Sequence, residues 1–150
     1  MKNLSLPIRF GLVISAVLIA YFLVLALVDK HTNPAFSIAN ALITGLGIYE
    51  AIRVSKLENL ENFTYGSAFK TGLITGFVAT LMFTIFFLFY ATEINPVFLS
   101  QLLEKVNGGF NADIGMVTFV IALMGLATTV VSSLTVMQFF KKSNNLVQNK

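Results

Sequence analysis

Four long stretches of the chain contain no aspartate, glutamate, lysine or arginine. They run through residues 10–28, 32–49, 71–92 and 114–140. An α-helix rises about 1.5 Å per residue and the apolar core of a bilayer is about 30 Å thick, so about 20 residues cross it. The stretches are continuously apolar, which is typical of membrane helices and unlike the alternation of barrel strands. The pattern predicts an all-α, polytopic membrane protein.

The second stretch is the weakest, because polar residues open it. We expect its helix to begin near Pro34 and to run through Glu50 to Arg53, with the Arg53 side chain extended toward the interface. The first stretch also resembles a signal peptide, but its 19 apolar residues exceed the usual length of about 7–15, so we expect it to be retained. The prediction is a single four-helix transmembrane domain over residues 1–150, with spans at about 10–28, 34–52, 68–92 and 114–140.

The first and third spans open in the same way. A cation precedes Gly11 and Gly72 by two residues, and a small residue follows each glycine four positions later. An Asn-Pro pair, a favoured helix start, follows at similar distance, with its proline 23 residues after Gly11 and 24 after Gly72. The repeat favours two tandem helical hairpins over chance similarity between apolar helices.

The segment after the second Asn-Pro pair has an amphipathic pattern. Leucine and valine side chains share one face over residues 97–107, and polar side chains occupy the rest. This spacing predicts a short interfacial helix. It either lies on the membrane surface or connects two spans with its leucines packed against them, and we favour the connector because a helix this short buries little area in lipid.

Composition and charge narrow the class of protein. The chain is 56% hydrophobic and 11% charged, with a mean hydropathy of +0.81, whereas soluble domains carry about 25% charged residues. A soluble enzyme, a disordered protein and a nucleic-acid-binding domain are therefore disfavoured. Eight of the ten lysines and arginines precede the first span, lie between the second and third, or follow the fourth. The positive-inside rule then predicts a multi-pass protein of the cytoplasmic membrane with both termini cytoplasmic.

Small residues are the clearest candidate contacts between helices. Gly72 and Gly76 form a GxxxG pair, and Gly11 with Ser15 is the matching pair in the first span. The fourth span carries a stripe of small residues at spacings of four, three, four and three: Thr118, Ala122, Gly125, Thr129 and Ser132. We expect helix packing within one bundle; the alternatives are a dimer face or a polar pore lining.

Few polar residues could carry chemistry. Asn40 lies within the second span, and Glu50 with Arg53 forms a potential i,i+3 ion pair at its end. His31 is the only histidine, and cysteine is absent, so we expect no metal site and no cofactor. Catalytic triads and nucleotide-binding or zinc-protease motifs are also missing. No ionisable residue lies deep in a span, which argues against coupled transport.

The loop-to-helix segment at residues 63–72, Phe-Thr-Tyr-Gly-Ser-Ala-Phe-Lys-Thr-Gly, resembles a motif of a small bacterial membrane family known as domain of unknown function 4199. The Ile94-Asn95-Pro96 sequence after the third span is similar to that family as well. The resemblance covers nearly the whole chain and implies a four-span bacterial protein of about this length. It implies no activity and no functional residue.

These observations lead to two main functional hypotheses and a weaker third. The first is a non-enzymatic accessory or scaffold subunit that acts through helix–helix contacts. Its partners would be the lipid bilayer and other membrane proteins or a second copy, not nucleic acid. The alternative is a small oligomeric channel or transporter lined by the hydroxyl stripe of the fourth span. A membrane enzyme ranks third, because the sequence offers no catalytic set.

Overall fold

The computed structural model describes residues 2–28, 36–60, 62–106 and 113–140. Five α-helices account for most of them: α1 (Lys2–Leu27), α2 (Ser37–Glu58), α3 (Tyr65–Phe89), α4 (Pro96–Val106) and α5 (Ile114–Phe139). A π-helical turn, Tyr90–Ile94, extends α3. Within these ranges there is no β-strand, so the all-helical prediction is confirmed for them. The segment around Pro34, where the second span was expected to begin, lies outside the described residues.

Side-chain caps define where α3 and α5 begin. The Thr64 hydroxyl accepts a hydrogen bond from the Ser67 amide at 3.2 Å, and the Ser67 hydroxyl accepts one from the Thr64 amide at 3.0 Å. At the start of α5, the Asp113 carboxylate accepts from the Met116 amide at 2.8 Å. Such caps satisfy backbone donors that the first helical turn leaves free. The Thr64 and Asp113 side chains therefore fix the positions at which α3 and α5 begin.

The chain leaves α3 through the π-helical turn and reverses into α4. The Asn95 amide donates to the Tyr90 carbonyl at 2.9 Å, which closes the wide turn. The Asn95 side chain then accepts from the Phe98 amide at 3.0 Å and caps α4, and Pro96 occupies its first position, where the missing N–H costs nothing. The predicted short helix is thus present, and Phe98, only 2% exposed, packs it against the bundle as a connector.

The long helices form an up-down bundle with α3 at its centre. Helix α3 packs against α1, α2 and α5. Gly11 lies beside Thr75 and Phe22 beside Phe86, so α1 and α3 run parallel. Gly72 faces Ser133 while Gly125 faces Thr80, so α3 and α5 run antiparallel.

Helix α2 completes the bundle. Gly47 of α2 lies against Ile14 of α1. A Cβ on Gly45 of α2 would lie 3.7 Å from the Ser132 hydroxyl of α5. Tyr21 of α1 contacts Phe36, just before α2, while Ile14 lies beside Gly47, so α1 and α2 run antiparallel. We call the two ends of the bundle the α4 end and, opposite it, the Arg53 end.

Three of the helices are long and apolar enough to cross a membrane. They are Leu6–Leu27, Tyr65–Ile94 and Ile114–Phe139. Helix α2 is not among them, so the structure supports three of the four predicted spans. The difference arises because α2 carries Asn40, Glu50 and Arg53 within its length, together with Lys56. These residues lower its apolar character without shortening it.

Candidate functional site

The predicted small residues of α3 lie in a tight seam against α5. A Cβ on Gly72 would lie 2.6 Å from the Ser133 hydroxyl, and one on Gly125 would lie 2.5 Å from the Thr80 methyl. A Cβ on Gly76 would collide with the Thr129 side chain. We call these three pairs, Gly72–Ser133, Gly76–Thr129 and Thr80–Gly125, the α3–α5 seam. Because one member of each pair is glycine, the two backbones approach more closely than larger residues allow.

The matching pair in α1 forms a second close contact with α3. A Cβ on Gly11 would lie 2.8 Å from the Thr75 carbonyl oxygen and 2.7 Å from the Val78 Cβ. Ser15 is buried, and its hydroxyl donates to the Leu12 carbonyl at 2.8 Å. The serine thus satisfies itself within its own helix. Gly11 is the member of the pair that permits the close approach.

The predicted stripe on α5 divides between two neighbours. Gly125 and Thr129 belong to the α3–α5 seam, which continues to Ser133 rather than Ser132. Ser132 instead faces α2 at Gly45. Thr118 keeps its hydroxyl buried without a partner among the described residues, and Ala122 is half-buried. Three members of this stripe, Gly125, Thr129 and Ser132, therefore contact neighbouring helices within the described chain.

Glu50 and Arg53 lie together near the Arg53 end of α2. The Arg53 Nη1 atom is 3.2 Å from both carboxylate oxygens of Glu50. The two side chains remain 55% and 45% exposed, and an exposed pair of this kind contributes about 0–1 kcal/mol. The pair lies far from Asn40, which is near the other end of the same helix. These three polar residues do not form one site.

Asn40 lines a cavity of about 330 Å³ at the α4 end of the bundle. All five helices contribute to its wall. Most of the wall is apolar or aromatic, with the aromatic side chains supplied by Tyr21, Phe22, Phe36, Phe83, Phe87 and Phe98. The polar side chains in the wall are Asn40, Thr44, Thr80, Thr84 and Thr128. We call this space the central cavity; its size and lining are those of small-molecule sites.

Two polar atoms in the wall of the central cavity lack a partner. The Asn40 Oδ1 atom and the Thr84 Oγ1 atom are buried and have no hydrogen bond among the described residues. Their neighbours are satisfied, since the Thr44 hydroxyl donates to the Asn40 carbonyl at 2.9 Å and the Tyr21 hydroxyl donates to the Phe36 carbonyl at 3.1 Å. A buried polar atom left unpaired costs about 1–3 kcal/mol. Asn40 and Thr84 therefore each keep an unpaired, covered oxygen at the wall of the central cavity.

An aromatic cluster closes the α4 end of the central cavity. Phe22 of α1 stands at its centre and contacts rings of α3, the π-helical turn and α4 edge to face. The ring centroids lie 5.1 Å away for Tyr90, 5.9 Å for Phe98 and 6.1 Å for Phe87. Such edge-to-face pairs stabilise beyond their buried area. Helix α4 is thereby held over the end of the bundle.

The central cavity has an opening on its side. Of its lining residues, two are exposed, Ala41 on α2 and Met124 on α5. Helices α2 and α5 meet nearer the Arg53 end, where Gly45 faces Ser132 and the rings of Tyr49 and Phe140 are 5.4 Å apart. The opening therefore lies between α2 and α5, on the α4 side of the point where the two helices meet.

Sequence reasoning selected two members of this site and missed others. Asn40 was noted as a candidate polar residue and Gly125 as a packing residue, and both line the central cavity. Thr84 was missed, although Thr80 and Thr84 lie one turn apart on α3 just as Asn40 and Thr44 do on α2. Two such pairs on adjacent helices are the signal that could have indicated a polar patch between them.

No metal site is found in the part of the chain that the structure describes. No three His, Cys, Asp or Glu residues there lie close enough to hold an ion. His31 lies outside the described residues. The described residues in the wall of the central cavity supply neutral oxygens and aromatic rings, and no carboxylate, imidazole or thiolate.

The surface and the fold together define the class of protein. Large apolar side chains point outward on every long helix, including Val13, Phe77, Phe119 and Val131 at 52–64% exposure. A soluble protein does not expose such continuous apolar surface. With three helices able to cross a bilayer, this is an all-helical integral membrane protein.

The chain belongs to the family described as Protein of unknown function (DUF4199), whose sequence model matches residues 9–142. The resemblance seen at residues 63–72 is thus confirmed. The comparisons with curated proteins and with solved structures gave no match.

Proposed function

We propose that this protein is a non-enzymatic, four-span accessory protein of the bacterial cytoplasmic membrane that binds a mainly apolar small molecule in its central cavity. One observation carries the proposal. The bundle is closed by glycine contacts along the α3–α5 seam, yet at the α4 end it keeps about 330 Å³ of space with two unpaired polar atoms in the wall. The non-enzymatic part comes from the sequence, which lacks a catalytic set.

The packing of α2 supports a fourth span. Its 22 residues reach about 33 Å at 1.5 Å per residue, enough to cross the apolar core. Ile48 and Ile52 are fully buried against the bundle, whereas Ile38, Leu42 and Leu46 point outward at 62–67% exposure. A helix that packs on the other spans and turns leucine and isoleucine outward is suited to lipid. Arg53 lies near its end, where a long cationic side chain reaches the interface.

The charge distribution supports an orientation. Eight of the ten lysines and arginines fall at the two termini and in the loop between α2 and α3, which the positive-inside rule assigns to the cytoplasm. The α4 end and the central cavity then face the outer side. Reporter fusions at Lys150 and at Asn111 test this orientation, with a cytoplasmic signal expected at Lys150 and a periplasmic one at Asn111. The reverse signals would contradict it.

A second candidate function is a scaffold that contacts another membrane protein or a second copy through α5. In the apolar window of α5 only 6% of residues are buried within the chain, against 28% for the windows of α1 and α3. This leaves more of α5 available to a partner helix. The channel hypothesis gains no comparable support, because Thr129 and Ser133 are enclosed in the α3–α5 seam.

Photolabelling tests the binding proposal. A hexadecane bearing a diazirine is added to the protein in nanodiscs, and labelled peptides are mapped by mass spectrometry. We expect saturable labelling around Phe83 and Thr84 that unlabelled hexadecane competes away. Thr128→Phe places a ring in the central cavity and should abolish it. Thr135→Phe is the matched control, because Thr135 is on the same helix, is exposed and bonds only the Val131 carbonyl.

Non-saturable labelling spread over the outward faces, unchanged by Thr128→Phe, would contradict the binding proposal. Thermal unfolding of both variants checks that the bundle is intact. A loss of labelling that accompanies unfolding in Thr128→Phe is resolved with Thr128→Leu, which adds less volume at the same place.

A further inference from the structure

Resting on the proposed binding function, we propose that the central cavity takes the head of a neutral, single-chain amphiphile bearing a hydroxyl group, which enters sideways from the bilayer between α2 and α5. The hydroxyl hydrogen-bonds Asn40 and Thr84, and the chain leaves through the side opening into lipid.

The unpaired atoms determine the polarity of the head group. Asn40 Oδ1 is an amide oxygen and can only accept a hydrogen bond, so its partner must donate. Thr84 Oγ1 can accept or donate. A hydroxyl group has one donor and two acceptor positions, so it can pair with either kind of atom. An ether or ester oxygen cannot satisfy Asn40, and an alkane satisfies neither.

The charge of the wall bears on the charge of the head group. Among the described residues, those that line the central cavity include no carboxylate, ammonium or guanidinium. An isolated charge moved into such an environment loses several kcal/mol or more of solvation that neutral oxygens do not restore. Aromatic rings attract cations, but the Phe22 ring is already in edge-to-face contact with other aromatic side chains, among them Phe83, Phe87 and Phe98. The site therefore favours a neutral head.

The position of the opening determines the route. Ala41 and Met124 are the exposed residues of the wall, and their neighbours Leu42 and Leu123 point outward at 62% and 48% exposure. The opening is thus bordered by lipid-facing side chains rather than by charged ones. At the α4 end the Phe22–Phe98 contact closes the bundle, with ring centroids 5.9 Å apart. An amphiphile reaches the site from the bilayer, not through α4.

The size of the central cavity limits how much of the ligand it holds. A volume of about 330 Å³ is near the lower end of the range of about 300–1,000 Å³ that is usual for small-molecule sites. That accommodates a head group and the first part of a chain, but not a two-chain phospholipid. The rest of the chain must lie in the opening and in the surrounding lipid. A single-chain ligand with its head inside and its tail outside fits this shape.

Matched photoprobes test the head group. The protein in nanodiscs is labelled with diazirine-bearing hexadecanol, its methyl ether, hexadecylammonium and hexadecane. We expect the alcohol to label the peptide that contains Thr84 about tenfold more efficiently than the methyl ether at equal concentration, the effect of one buried hydrogen bond. Asn40→Leu and Thr84→Val should each reduce that preference to threefold or less while hexadecane labelling persists. Thr92→Val is the control, because Thr92 is exposed and outside the cavity wall.

The outcomes separate this inference from the proposed function. Equal labelling by alcohol and ether, with saturable hexadecane labelling in the central cavity, overturns the hydroxyl assignment and leaves the binding function standing. Stronger labelling by hexadecylammonium overturns the neutral-head assignment. Absence of saturable labelling by every probe overturns the binding function itself. The route is tested by rate: Ala41→Trp should slow alcohol labelling at least fivefold and Leu42→Trp should not, whereas equal rates overturn lateral access.

Discussion

The interface between α3 and α5 has two halves that differ in what they enclose. Toward the Arg53 end, Gly72, Gly76 and Gly125 each meet a serine or threonine of the opposite helix, and the third pair, Thr80–Gly125, borders the central cavity. One turn further, the next positions are Thr84 and Ile121, and both line the central cavity. Helices α3 and α5 thus pack closely where each four-residue step places a glycine on one of them, and they border the central cavity where no glycine follows.

The change follows from the antiparallel register. Each four-residue step forward on α3 meets a four-residue step backward on α5, from Gly72–Ser133 to Gly76–Thr129 to Thr80–Gly125. Close approach needs a residue without a side chain on one helix at each step. At Thr84 and Ile121 neither helix supplies one, and both residues line the central cavity. The positions of glycine therefore determine where α3 and α5 pack closely and where the central cavity begins.

The largest expected effect is on the closed half. Gly76→Leu forces a branched side chain into the space that Thr129 occupies, and we expect it to lower the free energy of unfolding in detergent by about 3 kcal/mol or more, the upper range for overpacking. Gly66→Leu is the matched control, since a Cβ on Gly66 meets nothing within 4 Å. Similar melting of both variants and the parent would show that the seam is not closed as described.

The second prediction concerns the cover of the open half. Phe98→Ala removes the ring that joins α4 to Phe22 and Tyr90, and we expect a loss of about 2–3 kcal/mol, near or below the range for buried Phe→Ala changes. The effect should be local. Hydrogen exchange should rise across α4, while amides of the α3–α5 seam keep their protection. Protection lost equally in both regions would contradict the separation of the two halves.

The smallest expected effect lies outside both halves. Glu50→Gln breaks the exposed ion pair with Arg53, and we expect a change of about 0–1 kcal/mol in the free energy of unfolding. Labelling of the central cavity should be unchanged, because the pair lies toward the opposite end of α2. The same variant should leave flux across proteoliposome membranes under a pH gradient at the background level of the parent. Proton-dependent flux in the parent that Glu50→Gln abolishes would favour a transporter instead.

How far the sequence predicts this molecule differs between the two halves. Gly72, Gly76 and Gly125 were found from their spacing, because close helix approach leaves a direct trace in the positions of small residues. Ser133, which lies against Gly72, was not among the predicted residues, whereas Ser132, selected by its spacing on one helix, faces α2 at Gly45. A register between two helices depends on both, and one stripe cannot determine it.

The central cavity was not predictable in the same way. It depends on where α4 places Phe98 relative to Phe22 and on how far α2 and α5 diverge around Ala41, and neither distance follows from local pattern. Asn40 attracted notice as a polar residue in an apolar helix, but its unpaired oxygen is visible only once α3 is placed beside it. Space inside a bundle is a property of several helices together.

One paired measurement tests the central claim most directly. Gly125→Ala adds a single methyl group to the closed half, and Thr84→Leu adds a larger side chain to the open half while removing an unpaired hydroxyl. Unfolding free energies of both variants are compared with the parent in the same detergent. We predict that Gly125→Ala destabilises by about 1–3 kcal/mol and that Thr84→Leu is neutral or stabilising. A Thr84→Leu variant that loses as much stability as Gly125→Ala would contradict the account, because it would show no usable space where the glycines stop.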